Sequence, residues 1–259
     1  MNEQTDNFQT GTLLHQLLYI GEAMLASGGE VNRVEDTLIR LGRAYGAVEM
    51  NVFVITSSIV ITMVMQDGRE TTQTRRVLTT GSTDFARLEA LNALSRRCCA
   101  DPISVEELAE QVRRIRELKP SRLHLYAGSL LAVGSFTLFF GGSVWDMAAS
   151  MVFALVVCLL QERLAPLCET RMIFNLLTSL LVGMGICAAA KLCPLLRVDA
   201  IMIGDIMLLI PGLAMTNSVR DILMGDTIAG VMRLIESLLW AGALAIGFVL
   251  SIWLMTGGR

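Results

Sequence analysis

Two hydrophobic patterns divide this chain. In the first part, apolar residues recur every three or four positions between polar ones, which predicts amphipathic helices at about 12–27 and 30–45. After about residue 123 the apolar residues form long runs instead. A bilayer core is about 30 Å thick and needs about 20 apolar residues per spanning helix. The pattern therefore predicts an α-helical membrane protein with a polar region at its amino-terminal end.

The polar region also carries a strand pattern. Residues 48–77 are rich in Val, Ile and Thr, and Asp67-Gly68 is a typical hairpin turn within them. We expect two or three antiparallel strands here. Asp84 and Ser104 each precede a helical pattern and are predicted to cap two further helices. Residues 1–120 are thus predicted to form an α+β domain.

The remaining residues, 121–259, are predicted to form the membrane domain. Their apolar runs suggest about five transmembrane helices, of which the fourth contains an internal proline. These predicted spans lie at about 123–140, 143–160, 172–190, 198–215 and 234–255.

Charge separates the same two regions. Only 17% of the residues are charged, whereas soluble proteins carry about 25%. Most cations precede the first predicted span, and Arg163 and Arg171 lie in the loop after the second. Cytoplasmic loops are enriched in Lys and Arg, so the amino terminus is predicted to be cytoplasmic and the carboxy terminus outside. Lys191 and Arg197 are exceptions to this rule. The first twenty residues do not resemble a signal peptide.

Asp205 is the most distinctive single residue of the apolar part, because it lies inside the fourth predicted span. A charge at the membrane centre costs at least about 2.5 kcal/mol and usually faces a cavity or a partner. A desolvated carboxyl group in such a place can carry a proton at physiological pH. The alternative is an acid near the water interface or in a structural hydrogen bond.

Pro211-Gly212 follows Asp205 and is expected to interrupt the helix or to end it at the cytoplasmic face. Arg220 is a candidate to hold a substrate carboxylate in a bidentate manner. Alternatively it pairs with a neighbouring acid or anchors the chain at the interface. A weaker candidate in the third predicted span is Asn175. Polar residues crowd the boundary after Pro211, namely Asn217, Arg220, Asp221, Asp226, Arg233 and Glu236.

The sequence lacks the motifs that are typical of several other functional classes. There is no G-x-x-x-x-G-K-[ST] phosphate loop and no haem or metal pattern, and the cysteines form no C-x-x-C pair. We therefore predict no cofactor. The basic residues form no stripe of the kind that binds nucleic acids.

Two motifs resemble the threonine/serine exporter family. One is SGGEVNRVEDTLIRLGRAYG near the front, and the other is IPGLAMTNSVRDILMGDTIAGVMRLIE near the back. The resemblance implies a secondary exporter of small metabolites in the bacterial inner membrane. Family substrates are threonine and serine, and succinate for some members. Single-chain members carry a second hydrophobic region, so this chain is similar to the amino-terminal subunit of the split version. That implies a second integral-membrane subunit as partner, and a homo-oligomer is the alternative.

The first motif is a family signature, for which the resemblance implies a docking or gating role at the cytoplasmic face. Glu30 and Arg33 are spaced to form an ion pair. The alternative is a solvated helix face with that one local pair. A non-transporting regulatory or scaffold subunit is the competing function, and an intramembrane enzyme has weaker support because no paired motif is present. The residues assigned to the signature are Gly28, Gly29, Glu30, Asn32, Arg33 and Glu35.

Overall fold

The computed structural model describes residues 3–77, 83–118 and 121–257, with side chains from Thr10 onward. Helices predominate, and they are joined by a single three-stranded sheet within these ranges. The predicted domain boundary at residue 120 and the predicted outward carboxy terminus at Arg259 both lie outside the described residues.

The chain divides into two compact units. The first contains Met1–Lys119 and Leu213–Leu234, and the second contains Pro120–Gly212 and Ile235–Arg259. A segment from the second half of the sequence, residues 213–234, therefore belongs to the first unit. Hydropathy alone gave no sign of this, because the segment lies between two apolar runs.

The first unit begins with two helices, α1 (Glu3–Ala26) and α2 (Val31–Ala44). Helix α1 starts earlier than the pattern predicted, whereas its end and the whole of α2 agree with the prediction. Helix α2 is amphipathic, and its buried face consists of apolar residues at helical spacing. Those residues join α1 and the sheet in one hydrophobic core.

The predicted antiparallel sheet is present. Its strands are β1 (Ala47–Ile55), β2 (Ser58–Met65) and β3 (Glu70–Arg76), in the order β1-β2-β3. Alternate residues of β2 are buried, which is the period expected of a strand with one face on the core. Gly68, in the predicted turn before β3, has a φ of +80°.

Two capped helices follow the sheet. Helix α3 (Phe85–Ala100) begins after Asp84, whose side chain accepts a hydrogen bond from the Arg87 amide. Helix α4 (Val105–Glu117) begins after Ser104, whose hydroxyl accepts from the Glu107 amide. Both predicted caps are confirmed. They satisfy amide groups that a helix start leaves without intrahelical partners.

The remaining helices contain the apolar runs. They are α5 (Arg122–Phe139), α6 (Val144–Arg163), α7 (Arg171–Leu192), α8 (Val198–Leu209), α9 (Gly212–Leu223) and α10 (Thr227–Thr256). A short 3₁₀ turn, Ala165–Leu167, follows α6. The unit boundary after Leu234 falls within α10.

Fewer helices than predicted have the length and apolarity of a membrane span. Within the described ranges, α6 (extended through the 3₁₀ turn), α7 and α10 reach them, and a fourth candidate arises if α8 and α9 are counted together. The first predicted span coincides with α5, which has 18 residues and carries Arg122 and His124 in its first turn. The fourth predicted span is interrupted between α8 and α9, because Pro211 cannot donate a helical hydrogen bond.

Candidate functional site

The front signature forms the turn between α1 and α2. Gly28 has a φ of +88°, and its amide donates to the Leu25 carbonyl at 3.0 Å. The Gly29 amide donates to the Met24 carbonyl at 2.9 Å. These two bonds define a Schellman motif, in which a left-handed residue ends a helix. A Cβ on Gly29 would lie 2.8 Å from the Met24 carbonyl oxygen, so both glycines are required by the backbone.

The same turn recurs between α9 and α10. Gly225 has a φ of +100°, and its amide donates to the Ile222 carbonyl at 3.2 Å. The Asp226 amide donates to the Asp221 carbonyl at 2.9 Å. The back motif therefore contains a second Schellman turn, and both turns belong to the first unit.

The first of these turns contacts α9 and α10, the two helices that flank the second turn. The Asn217 side-chain amide donates to the Gly28 carbonyl at 3.4 Å, and an Arg233 N–H donates to the Gly29 carbonyl at 3.5 Å. An Arg220 N–H donates to the Glu30 carboxylate at 2.8 Å. The two motifs that are far apart in sequence thus meet within one unit. We call the following residues the corner cluster: Gly28, Gly29, Glu30, Asn217, Arg220, Asp221 and Arg233.

A buried ion pair lies at the centre of the corner cluster. The Arg233 guanidinium donates to the Asp221 carboxylate at 2.9 Å, and the two side chains are 13% and 2% exposed. The backbone of Val31, at the start of α2, also favours the charged form of Asp221. Anions are favoured at a helix start, because the backbone amides there have no intrahelical acceptor. Asp221 therefore connects α9 with the beginning of α2.

The other signature residues lie on α2, and their contacts are as follows. Arg33 pairs with Glu30 at 3.3 Å, as their spacing predicted, and Asn32 is exposed. Glu35 accepts a hydrogen bond from the Val54 amide of β1 at 2.8 Å. Burial raises the pKa of the Glu35 carboxyl, the Val54 bond opposes this, and the negative charge of Asp226 adds to it. One Asp226 carboxylate oxygen is buried without a hydrogen-bond partner among the described residues.

Arg220 was predicted either to hold a substrate carboxylate or to pair with Asp221 or Asp226. The structure places it against Glu30, and its side chain is 50% exposed. Asp221 pairs with Arg233 instead. The sequence offered no means of choosing these partners, because Glu30 and Arg220 are 190 positions apart.

The second unit holds the remaining predicted residues. Asn175 in α7 is 2% exposed, and its side-chain amide donates to the Trp240 carbonyl at 3.4 Å. Glu236 is half-buried in α10. Pro211 is buried at the end of α8, and the Gly212 amide donates to the Ile210 carbonyl at 2.9 Å rather than to a carbonyl four residues back.

Asp205 in α8 differs from every acid described above. It is completely buried, and neither carboxylate oxygen has a hydrogen-bond partner within the part of the chain that the structure describes. The preceding residue, Gly204, packs so closely on α5 that a Cβ there would lie 2.0 Å from the Thr137 hydroxyl. That hydroxyl already donates to Ser150 at 2.8 Å and to a backbone carbonyl. Asp205 is therefore buried in a tightly packed helical bundle in which no described residue forms a hydrogen bond with its carboxylate.

Asp146 is a buried acid that the sequence analysis did not select. It is also 0% exposed, but its carboxylate accepts from the Ser143 amide and hydroxyl, both at 2.8 Å, and from the Arg197 amide at 2.7 Å. Ser143 and Asp146 form a capping box at the start of α6. The Ser-x-x-Asp spacing was the signal that could have identified this structural role.

Long apolar helices, an interrupted helix and a buried acid together define a helical membrane protein. This chain belongs to the threonine/serine exporter family, whose sequence profile matches residues 15–255. A Mycobacterium tuberculosis protein described as "Probable threonine/serine exporter" is 23% identical over 255 residues, which cover 95% of this chain and 47% of that protein. The chain thus spans about half the length of this curated relative. No solved structure matches it.

Proposed function

We propose that this chain is one subunit of a proton-coupled exporter in the bacterial inner membrane. It moves small carboxylate-bearing metabolites out of the cytoplasm, with threonine, serine or a dicarboxylate such as succinate as substrates. Family membership supports transport over an enzymatic role. Five spans form the membrane part, α5 being the first, and the α+β domain and amino terminus are cytoplasmic.

The single observation that carries this proposal is the environment of Asp205. A buried carboxylate without hydrogen-bond donors is costly to ionise, and it avoids that cost by binding a proton. The described residues contain no group of three or more His, Cys, Asp or Glu side chains that could hold a metal ion. Asp205 is therefore suited to gain and lose a proton as its surroundings open and close.

The interrupted helix supplies the second element of the mechanism. Because Pro211 has no N–H, the Met207 carbonyl loses its helical donor. Broken helices in transporters present such backbone groups to substrates and ions. In our proposal, a change at this break opens the surroundings of Asp205 to water, and the proton exchanges there.

A separate partner subunit is part of the proposal. Its support is the resemblance of the two sequence motifs to the split version of the family, which implies a second membrane protein. A homo-oligomer of this chain is the alternative arrangement.

A regulatory or scaffold subunit that transports nothing is the second candidate function. The observation that favours it is the corner cluster, which ties residues 213–234 to the predicted cytoplasmic domain through paired charges. A domain held in this way is suited to transmit a signal to a partner's membrane helices.

Transport assays separate these functions. Inside-out vesicles are prepared with this chain alone, with the chain and its partner, and with the partner alone. Each is assayed for uptake of labelled threonine and succinate, with and without a proton gradient. We expect gradient-dependent uptake only when both proteins are present. Uptake by the partner alone would favour the regulatory function, and uptake by this chain alone would contradict the need for a partner.

A further inference from the structure

An arginine at the start of α7 is set apart by its surroundings. Arg171 is the first residue of the helix, and its guanidinium carbon lies 5.1 Å from the centre of the Trp240 ring. Both residues belong to the second unit. The Arg171 residue is exposed at the start of the helix.

No carboxylate pairs with Arg171 in the described ranges, and the Trp240 ring is the contact that its guanidinium makes there. Two other arginines of the second unit have acidic partners in the described ranges. Arg197 pairs with Asp199 at 2.8 Å, and Arg122 lies 3.5 Å from Glu162. A cation that borders an apolar bundle without an acid is ready to receive an anion from outside the chain.

Two further polar residues continue the same face of α7. Asn175 and Thr178 lie four and seven positions after Arg171, which places all three on one side of the helix. Asn175 donates to the Trp240 carbonyl, so Arg171 and Asn175 contact the same residue of α10.

Thr178 is the second, independent sign of a ligand. It is 0% exposed, and its hydroxyl has no hydrogen-bond partner among the residues that the structure describes. A buried hydroxyl in a helix ordinarily donates to a carbonyl in the preceding turn. The adjacent Ser179 does this, donating to the Asn175 carbonyl at 2.7 Å. The Thr178 hydroxyl is thus left available to a polar group that enters along this face.

We propose that Arg171, Asn175, Thr178 and Trp240 form the site that receives the carboxylate of the exported metabolite. This inference rests on the proposed function. The guanidinium holds the carboxylate in a bidentate manner, and the positive end of α7 adds to the attraction. The Asn175 amide and the Thr178 hydroxyl meet the ammonium, hydroxyl or second carboxylate further along.

The geometry suits a small organic acid. Arg171 and Asn175 are separated by a rise of about 6 Å along the helix, and Thr178 lies about 4.5 Å beyond Asn175. A metabolite of a few carbon atoms is of this size. In the proposed orientation α7 begins on the cytoplasmic side, which is the side from which an exporter takes its substrate.

Fluorescence of Trp240 reports binding without relying on transport. Replacing the exposed Trp145 and Trp253 with Phe leaves Trp240 as the single tryptophan of the full chain. This protein, in phosphatidylcholine vesicles, is titrated with succinate, with threonine and with threoninamide, which lacks the carboxylate. We expect a saturable change with succinate and threonine, and none with threoninamide.

Single-residue variants test whether this fluorescence change comes from the proposed site. Arg171→Gln is expected to weaken succinate binding roughly tenfold or more, because a charge-assisted bidentate contact is lost. Arg171→Lys keeps the charge without the planar fork and is expected to bind with intermediate affinity. Thr178→Val keeps the side-chain shape and should weaken binding of threonine as well. Arg163→Gln, at an exposed arginine after the same apolar run, is the matched control and should bind as the parent does.

Three results would overturn the site. They are equal succinate binding by Arg171→Gln and its parent, no binding by the parent, or a response to phosphatidylglycerol vesicles alone, which would make Arg171 a lipid anchor. Transport distinguishes this failure from failure of the proposed function. Normal transport by Arg171→Gln removes the site and leaves the exporter. Carboxylate binding through Arg171 without any transport by the assembled protein keeps the site and removes the exporter.

Discussion

The corner cluster and the surroundings of Asp205 differ in whether buried charges have partners. They are paired in the cluster, and Asp205 has no hydrogen-bond partner among the described residues. In the cluster, Glu30 pairs with Arg220 and Arg33, and Asp221 pairs with Arg233. Asp205 is equally buried, yet neither of its oxygens has a described partner. The charges of the corner cluster are therefore paired, whereas no described residue forms a hydrogen bond with the carboxylate of Asp205.

This difference separates two uses of charge in one membrane protein. Paired charges and positive-φ glycines fix how two distant segments meet, so the cluster is suited to structure. An uncompensated acid is expensive to keep, and such residues in membrane helices generally serve function. Asp146 supports the distinction within the second unit, because this equally buried acid is fully hydrogen-bonded at a helix start.

The largest expected stability effect comes from the centre of the corner cluster. Asp221→Asn leaves Arg233 buried without its carboxylate, and breaking a buried pair costs about 3–5 kcal/mol. Unfolding of the purified protein in detergent measures this cost. Changing both residues, as Asp221→Asn with Arg233→Met, is expected to recover part of it. A loss of less than about 1 kcal/mol for the single change would remove the structural role of the pair.

A smaller loss is expected at the turn between α1 and α2. Gly28→Ala forces a side chain into the left-handed region, which costs about 1–2 kcal/mol, and Gly28→Asn should cost less. Gly128→Ala is the matched control, since a Cβ at this helical glycine of α5 would have open space. It should be neutral or slightly stabilising. Equal effects of the Gly28 and Gly128 changes to Ala would contradict the backbone argument. Thermal unfolding of the three variants provides the comparison.

A still smaller effect is expected for Arg220, which lies at the exposed edge of the corner cluster. Arg220→Ala removes a half-exposed pair with Glu30 and should cost at most about 1 kcal/mol, less at high salt. Because Arg220 pairs with Glu30, we expect the substrate concentration for half-maximal uptake to stay unchanged in the variant. A tenfold increase in that concentration with unchanged stability would instead support the role of Arg220 in holding a substrate carboxylate.

The smallest predicted effect concerns Glu35 and pH. Burial raises the pKa of Glu35 in the folded protein, so the folded state binds this proton more tightly than the unfolded chain does. Its contribution to stability is therefore complete below the ordinary value near 4.5 and is lost as pH rises through the folded pKa. Glu35→Gln should remove this slope. Stability of both proteins, measured between pH 4 and 8, tests it, and parallel profiles would contradict the prediction.

Local sequence patterns predicted much of the fold. The strand segment with its Asp67-Gly68 turn and the caps at Asp84 and Ser104 were recognisable, because each depends on neighbouring residues. The assignment of residues 213–234 to the first unit was not, because it depends on contacts between distant segments.

The contacts of the candidate site were also difficult to predict, because most of them join distant parts of the sequence. Asp205 stood out from the sequence, since a lone acid in an apolar run needs no partner to be noticed. The partners of Arg220 and Arg233 could not be predicted, because several acids lie close to them in sequence while Glu30 is far away. Arg171 was taken only as a marker of orientation. Its importance depends on the absence of an acid near it in the described ranges, which is a property of the fold.

The most direct test of our account is the effect of Asp205→Asn on two modes of transport by the assembled exporter. The first mode is succinate or threonine accumulation driven by a proton gradient, and the second is exchange of labelled for unlabelled substrate without a gradient. Asp146→Asn is the control for neutralising a buried acid. We predict that Asp205→Asn loses gradient-driven accumulation and keeps exchange, whereas Asp146→Asn lowers the amount of folded protein and affects both modes equally. Full gradient-driven accumulation by Asp205→Asn would contradict the account.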